Sequence, residues 1–138
     1  LVGRILARFE EKGLALVGMK MRTFSKSLLE QHYAVHKARP FFAGLVKFMS
    51  SGPAVALVIE GKDAIAVVRT LVGKTNGRES PPGTIRGDYA MSFSTNLVHA
   101  SDSPESAQFE LGLWFEDEEL SAWKPADLEW RYSVAEEL

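Results

Sequence analysis

His99 stands in the run Asn96-Leu97-Val98-His99-Ala100-Ser101-Asp102, at the end of an apolar stretch and directly before small and acidic residues. An imidazole acts as nucleophile, base or ligand according to which of its nitrogens is held, and by what. A lone histidine is more often a hydrogen-bonded structural residue, so its neighbours decide the reading. In the segment that follows, Ala107, Leu111 and Trp114 define a helical apolar face, and Glu110 falls on that same face. A buried, unpaired carboxylate costs several kcal/mol, so an inward Glu110 needs an imidazole N–H, a hydroxyl or a cation. His99 and Ser101 are the candidates, and the pairing would fix the imidazole's tautomer. The alternatives are a glutamate that snorkels to solvent or meets a structural arginine.

Two arginines have settings suited to anions. Arg69 lies four residues after Ile65 and three before Val72, at the border of a buried helical face, where a guanidinium suits bidentate capture of carboxylate or phosphate. Arg86 sits in Pro81-Pro82-Gly83-Thr84-Ile85-Arg86-Gly87-Asp88, read as a stiff, tightly turned loop that limits the entropy lost on binding. The plainer reading of Arg86 is a solvated loop residue. Gly73-Lys74-Thr75 is no phosphate loop, because Val68 occupies the position of the required glycine and the stretch ends a helix. His32 and His36 are four apart on one helix, but no HExxH pattern or acidic pair accompanies them, so a metal would have to arrive with a substrate.

The elements that must position these residues follow from periodicity. Val2, Ile5, Leu6 and Phe9 mark a helix stopped by Gly13; Ala15, Val17, Met19 and Met21 mark one face of a strand. Ser25 caps a helix carrying Leu28, Leu29, His32, Tyr33 and His36 as one stripe, and a short helix runs from Phe42 to Met49. Residues 53–61 read as a buried strand, and residues 62–73 as a helix buried through Ile65, Val68 and Val72. Residues 74–88 are turn-rich. Residues 89–93 alternate as a further strand that 96–102 completes, and a helix capped by Ser103 or Asp102 opens at Pro104. An acidic, then Trp-containing tail packs on the surface. The whole is one α+β domain, helices covering a small sheet.

The 138 residues fit one domain with one core, and no apolar run approaches membrane-spanning length. Sixteen basic and eighteen acidic residues give a net charge of −2, without the excess of a non-specific nucleic-acid binder. The acidic balance and the apolar strand also disfavour an RNA-binding ferredoxin-like module. The absence of cysteine excludes disulfides and thiolate metal sites and agrees with a cytoplasmic protein.

Residues 32–42, 51–61, 75–90 and 96–107 together resemble the nucleoside diphosphate kinase family. The N-x-x-H-[GA]-S-D setting of His99, downstream of P-G-T-I-R-G-D, is the specific signature, and the similarity runs from Leu1 to about Trp123. The resemblance implies a ferredoxin-like βαββαβ sandwich. It also implies a ping-pong reaction in which a nucleoside triphosphate phosphorylates His99, which then phosphorylates a nucleoside diphosphate. Such a relay lets one pocket serve donor and acceptor in turn, and a neutral imidazole attacks phosphorus without a separate base.

By the same resemblance Glu110 orients the ring with Ser101, and Tyr33 lies beside it. Arg69, Thr75 and Arg86 hold phosphates, Phe41 stacks on the base, Leu45 lines the cleft and Asn96 binds the sugar hydroxyl. Mg²⁺ comes with the nucleotide, with Asp102 at most a water-mediated neighbour. The assembly implied is a homo-oligomer, a hexamer in preference to a tetramer, with no membrane or dedicated nucleic-acid surface. The alternative is a nucleotide-binding or scaffolding homologue that no longer transfers phosphate; the retained His99, Glu110, Arg69 and Arg86 disfavour it.

The chain departs from the family's usual pattern at several places. Gly77 replaces a proline, which should loosen its loop; Val35 stands for an acidic residue; Phe93 is larger than the usual aliphatic; and Ser94-Thr95 replaces Gly-Arg. The family's first strand, with its Lys-Pro-Asp-Gly segment, has no counterpart in the sequence. That strand lies inside a 4-1-3-2 sheet, so the 138 residues are expected to be an N-terminally incomplete domain.

Overall fold

The computed structural model describes residues 1–133 and 136. Helix α1, Val2–Lys12, ends where Gly13 turns left-handed at φ 98°, and the N–H groups of Gly13 and Leu14 return to the carbonyls of Glu10 and Phe9. Strand β1, Ala15–Arg22, pairs antiparallel with β2, Ala54–Glu60. Between them run α2, Lys26–His32, and α3, Phe42–Met49. Helix α4, Ala64–Val72, follows β2, then come short α5, Ile85–Tyr89, α6, Pro104–Trp114, and α7, Leu128–Arg131.

The architecture is α+β, as expected for a ferredoxin-like chain, with two of that sheet's strands formed among the described residues. The alternation of β1 is broken by a bulge between Leu16 and Gly18, which shifts the inward face by one residue. Ala15 and Val17 are therefore buried, while Met19 and Met21, expected on the same face, are exposed. Strand β2 is half-buried rather than fully buried, because β1 is its one strand partner among the described residues. The tail covers the outer edge of β1: Ser121 N–H donates to the Val17 carbonyl at 2.7 Å, and Trp123 Nε1 to that of Leu16 at 2.8 Å.

Residues 89–93 do not form the expected strand. Tyr89 closes α5, Met91 and Phe93 are exposed, and the Ser92 carbonyl accepts the Gly77 N–H instead of a strand partner. Gly77 is buried and tightly packed; a Cβ there would come 2.3 Å from the Ala90 carbonyl oxygen. The stripe expected along one helix is also divided, since α2 ends at His32 and Ala34–His36 form a separate 3-10 turn.

Two clusters make the core. One joins Phe9, Leu14, Val72, Ile85 and Ala100; the other joins Phe24, Leu29, Tyr33 and Val46, with Trp114 packed against it. The segment leading to His99 belongs to the first cluster, and α2 and α6 flank the second. Their seam is where the candidate residues converge. Among the described residues no helix is long and apolar enough to cross a membrane.

Candidate active site

The backbone on either side of His99 is held by two guanidinium groups. Leu97 has φ 74°, a left-handed conformation costly for a branched side chain, and the Val98 N–H donates to the Asn96 carbonyl at 2.9 Å across it. Arg86 Nε donates to that same Asn96 carbonyl at 3.2 Å, Nη2 to the Val98 carbonyl, and Nη1 to that of Gly73 at 3.5 Å. Arg69 Nη1 donates to the Ala100 carbonyl at 3.2 Å. Alternate carbonyls at 96, 98 and 100 are thus all taken by arginine. Arg86 is not the loop residue expected from the sequence: it lies within α5 and is only 6% exposed. Burial, and then the charge of Arg69, lower its pKa, yet a guanidinium stays charged.

Glu110 reaches back from α6 to His99. Its Oε1 lies 3.0 Å from His99 Nε2, and its Oε2 accepts the Ser101 hydroxyl at 2.5 Å. Ser103 makes this approach possible by capping α6, its Oγ accepting the Ser106 N–H at 3.0 Å. Desolvation pushes the Glu110 carboxyl up, but the hydrogen bonds from His99 and Ser101 outweigh it, and its pKa lies below the ordinary value. The His99 side chain remains 43% exposed, whereas Glu110 is 17% exposed. One edge of the imidazole is anchored in protein while the ring stays open to solvent.

Tyr33, as expected, stands beside the ring, with centroids 6.0 Å apart and planes at 84°. Burial, then the negative charge of Glu110, push its phenol up to about 12, so it is neutral at physiological pH. Asn96 Nδ2 donates to the Thr75 carbonyl at 2.9 Å, which joins two more of the expected residues. Phe41 is half-exposed at the start of α3, its ring 5.5 Å from His36. Leu45 lies one turn further on, its N–H on the Phe41 carbonyl at 2.9 Å. Asp102 is exposed, and its Oδ1 accepts the Ser106 hydroxyl at 2.7 Å, which lowers its pKa.

His32 and Trp114, not among the residues expected at the site, also belong to this constellation. Trp114 Nε1 donates to His32 Nδ1 at 2.8 Å, and His32 Nε2 faces Glu110 Oε1 at 4.0 Å. The signal was present: His32 follows Leu28 by four residues and Leu29 by three, the same spacing argument that turns Glu110 inward. Among the described residues His32, His99 and Glu110 are the one group of three possible metal ligands, their ligand atoms all within 4.8 Å of one another. Two imidazoles and one carboxylate do not fit a resident Mg²⁺, which takes oxygen ligands.

Known proteins similar to this chain share one family name. The nucleoside diphosphate kinase family model matches residues 1–120. A nucleoside diphosphate kinase of Synechococcus sp. (strain WH7803) is 59% identical over 131 residues, covering 95% of this chain and 86% of its own. That of Archaeoglobus fulgidus is 53% identical over 132 residues, covering 96% and 87%. The solved structure of a halophilic nucleoside diphosphate kinase from Halobacterium salinarum in complex with CDP superimposes with a TM-score of 0.94 at 44% identity, covering 96% of this chain and 89% of that one. The chain belongs to the nucleoside diphosphate kinase family.

Proposed function

We propose that this chain is a nucleoside diphosphate kinase that moves the terminal phosphate of a nucleoside triphosphate to a nucleoside diphosphate through phosphorylated His99. The observation that carries the reading is the engagement of His99 Nε2 by Glu110 on a ring that is otherwise accessible. With the proton on Nε2 and donated to the carboxylate, Nδ1 carries the lone pair. Nδ1 attacks the γ-phosphorus, the bond to the bridging oxygen breaks, and its electron pair leaves with the nucleoside diphosphate. The ring gains positive charge as the N–P bond forms, and Glu110 is placed to offset it. A second nucleoside diphosphate reverses the steps and regenerates the neutral ring.

Arg69, Arg86 and Thr75 are assigned to the phosphates. Arg86 also braces the carbonyls of Asn96 and Val98, so its role joins binding to support of the nucleophile. Phe41 offers a half-exposed π-face to the base, Leu45 lines the same cleft, and the Asn96 amide is assigned to the sugar hydroxyl. Mg²⁺ would enter as part of the nucleotide substrate and offset phosphate charge there, with Asp102 at most a water-mediated neighbour. The reading includes a cytoplasmic homo-oligomer, a hexamer in preference to a tetramer, which light scattering checks.

A coupled assay from ATP to GDP, CDP and UDP tests the proposal. Stacking gives every base the same face, so transfer to all three is expected. No turnover by a chain that still binds nucleotide supports the scaffolding alternative. A preference above roughly 1,000-fold, about 4 kcal/mol, contradicts unselective stacking.

A further inference from the structure

His32 is 5% exposed in its side chain and lies behind the Glu110–His99 pair. Its ring meets His99 edge to face, with centroids 4.6 Å apart and planes at 77°, and meets Tyr33 at 4.5 Å and Trp114 at 5.3 Å in the same manner. An indole N–H only donates, so the 2.8 Å contact from Trp114 Nε1 requires a lone pair on His32 Nδ1. A neutral His32 therefore carries its proton on Nε2, the atom facing Glu110 Oε1 at 4.0 Å. That oxygen is also the one that meets His99 Nε2 at 3.0 Å.

We infer that His32, its tautomer fixed by Trp114, is a positioning residue for phosphoryl transfer that holds the Glu110 carboxylate against the His99 ring. The inference rests on His99 being the phosphoryl carrier. At 4.0 Å the His32 N–H is beyond hydrogen-bond length, and it acts as an oriented dipole that favours an ionised Glu110 in a poorly solvated place. Its ring also backs one side of the His99 ring. The titratable groups facing it are Tyr33 beside it, His99 on the preceding segment and Glu110 on α6. Burial first, and then His99, hold His32 down to about 4 against the raising effect of Glu110. It thus stays neutral while the His99 ring becomes cationic, and Glu110 has one positive ring to offset instead of two.

The same hydrogen bond argues against reading the three residues as a transition-metal site. A metal on His32 Nε2 would displace its proton while Nδ1 still accepts from Trp114, which demands an imidazolate.

Histidine ¹⁵N NMR of the unmodified protein at pH 7 tests the tautomer directly. The Nε2–H form of His32 is expected; an Nδ1–H form or a charged ring overturns the inference. In single-turnover phosphorylation, His32→Phe should slow transfer about 10-fold with nucleotide KM changed by no more than about 2-fold. The His99 ring should then show mixed tautomers. His32→Gln, which restores an N–H toward Glu110, should recover much of the rate. If His32→Phe does not fold, Trp114→Phe carries the test, with a smaller loss of rate and the same mixing of His99 tautomers expected. Unchanged rate and unchanged His99 tautomer in the folded variant overturn the inference alone. Phosphate found on a residue other than His99 overturns the parent reading as well.

Discussion

His99 and Glu110, eleven residues apart, meet at 3.0 Å through Nε2 and Oε1, and the other carboxylate oxygen is occupied by Ser101. The carboxylate is thereby fixed in rotation as well as position. Replacing it with an amide leaves the packing nearly unchanged and, in the proposed mechanism, removes the charge that offsets the phosphorylated ring. Glu110→Gln should slow transfer about 10-fold or more while the thermal midpoint stays close to that of the unmodified chain. Unchanged turnover would mean that the contact serves folding only.

Arg86 supports a strained backbone from the inside. Truncation would leave the carbonyls of Gly73, Asn96 and Val98 without their guanidinium partner beside the left-handed Leu97. Arg86→Ala should therefore lower unfolding free energy by about 2–4 kcal/mol, visible in the urea midpoint, as well as reduce activity. A loss of activity with an unchanged midpoint would make Arg86 a phosphate ligand without a structural part.

Gly77 stands where the backbone approaches Ala90, and a Cβ there would come 2.3 Å from the Ala90 carbonyl oxygen. Gly77→Ala should cost about 1–3 kcal/mol, because the obstacle is backbone and cannot rotate away. Thermal denaturation checks this, and a neutral effect would show that the loop yields freely.

His32 makes stability depend on acid. Burial, with repulsion from His99, lowers its pKa from 6.5 to about 4, so between those values the unfolded chain binds more protons than the folded one. Stability should fall as pH drops through that window, by up to about 3 kcal/mol, and be unaffected by this group above it. The lowered Glu110 acts in the same direction at pH below its ordinary value, where the carboxylate of the unfolded chain takes up a proton and the folded one resists it. Urea midpoints of the unmodified protein and His32→Phe between pH 4.5 and 7.5 should diverge in slope, with the variant flatter. Parallel slopes would place the acid sensitivity elsewhere.

The helices were legible because their signals are local. Gly13, Ser25, Ser103 and Pro104 mark ends, and the 3.6-residue spacing marks faces, so α1, α3, α4 and α6 follow from the residues. The inward Glu110 was legible for the same reason. The third expected strand was not, because alternation at 89–93 says nothing of whether a partner strand lies alongside. The bulge in β1 was hidden too, since the two carbonyls beside it are met by the distant Ser121 and Trp123. Arg86 reads as a loop residue beside its prolines and glycines, whether anion-binding or solvated, and only the tertiary fold brings three carbonyls to it. His32 had the spacing of an inward residue, but its partner Trp114 lies 82 residues away.

The central claim is that His99 Nδ1 carries the phosphoryl group. Incubating the protein with γ-labelled ATP and Mg²⁺, without an acceptor, and mapping the label by peptide analysis with ¹⁵N–³¹P NMR tests it most directly. The expected result is an acid-labile, alkali-stable label on His99 Nδ1 that is discharged by added nucleoside diphosphate and absent from His99→Ala. Label retained by His99→Ala, or attached at Nε2 of the native ring, would contradict it.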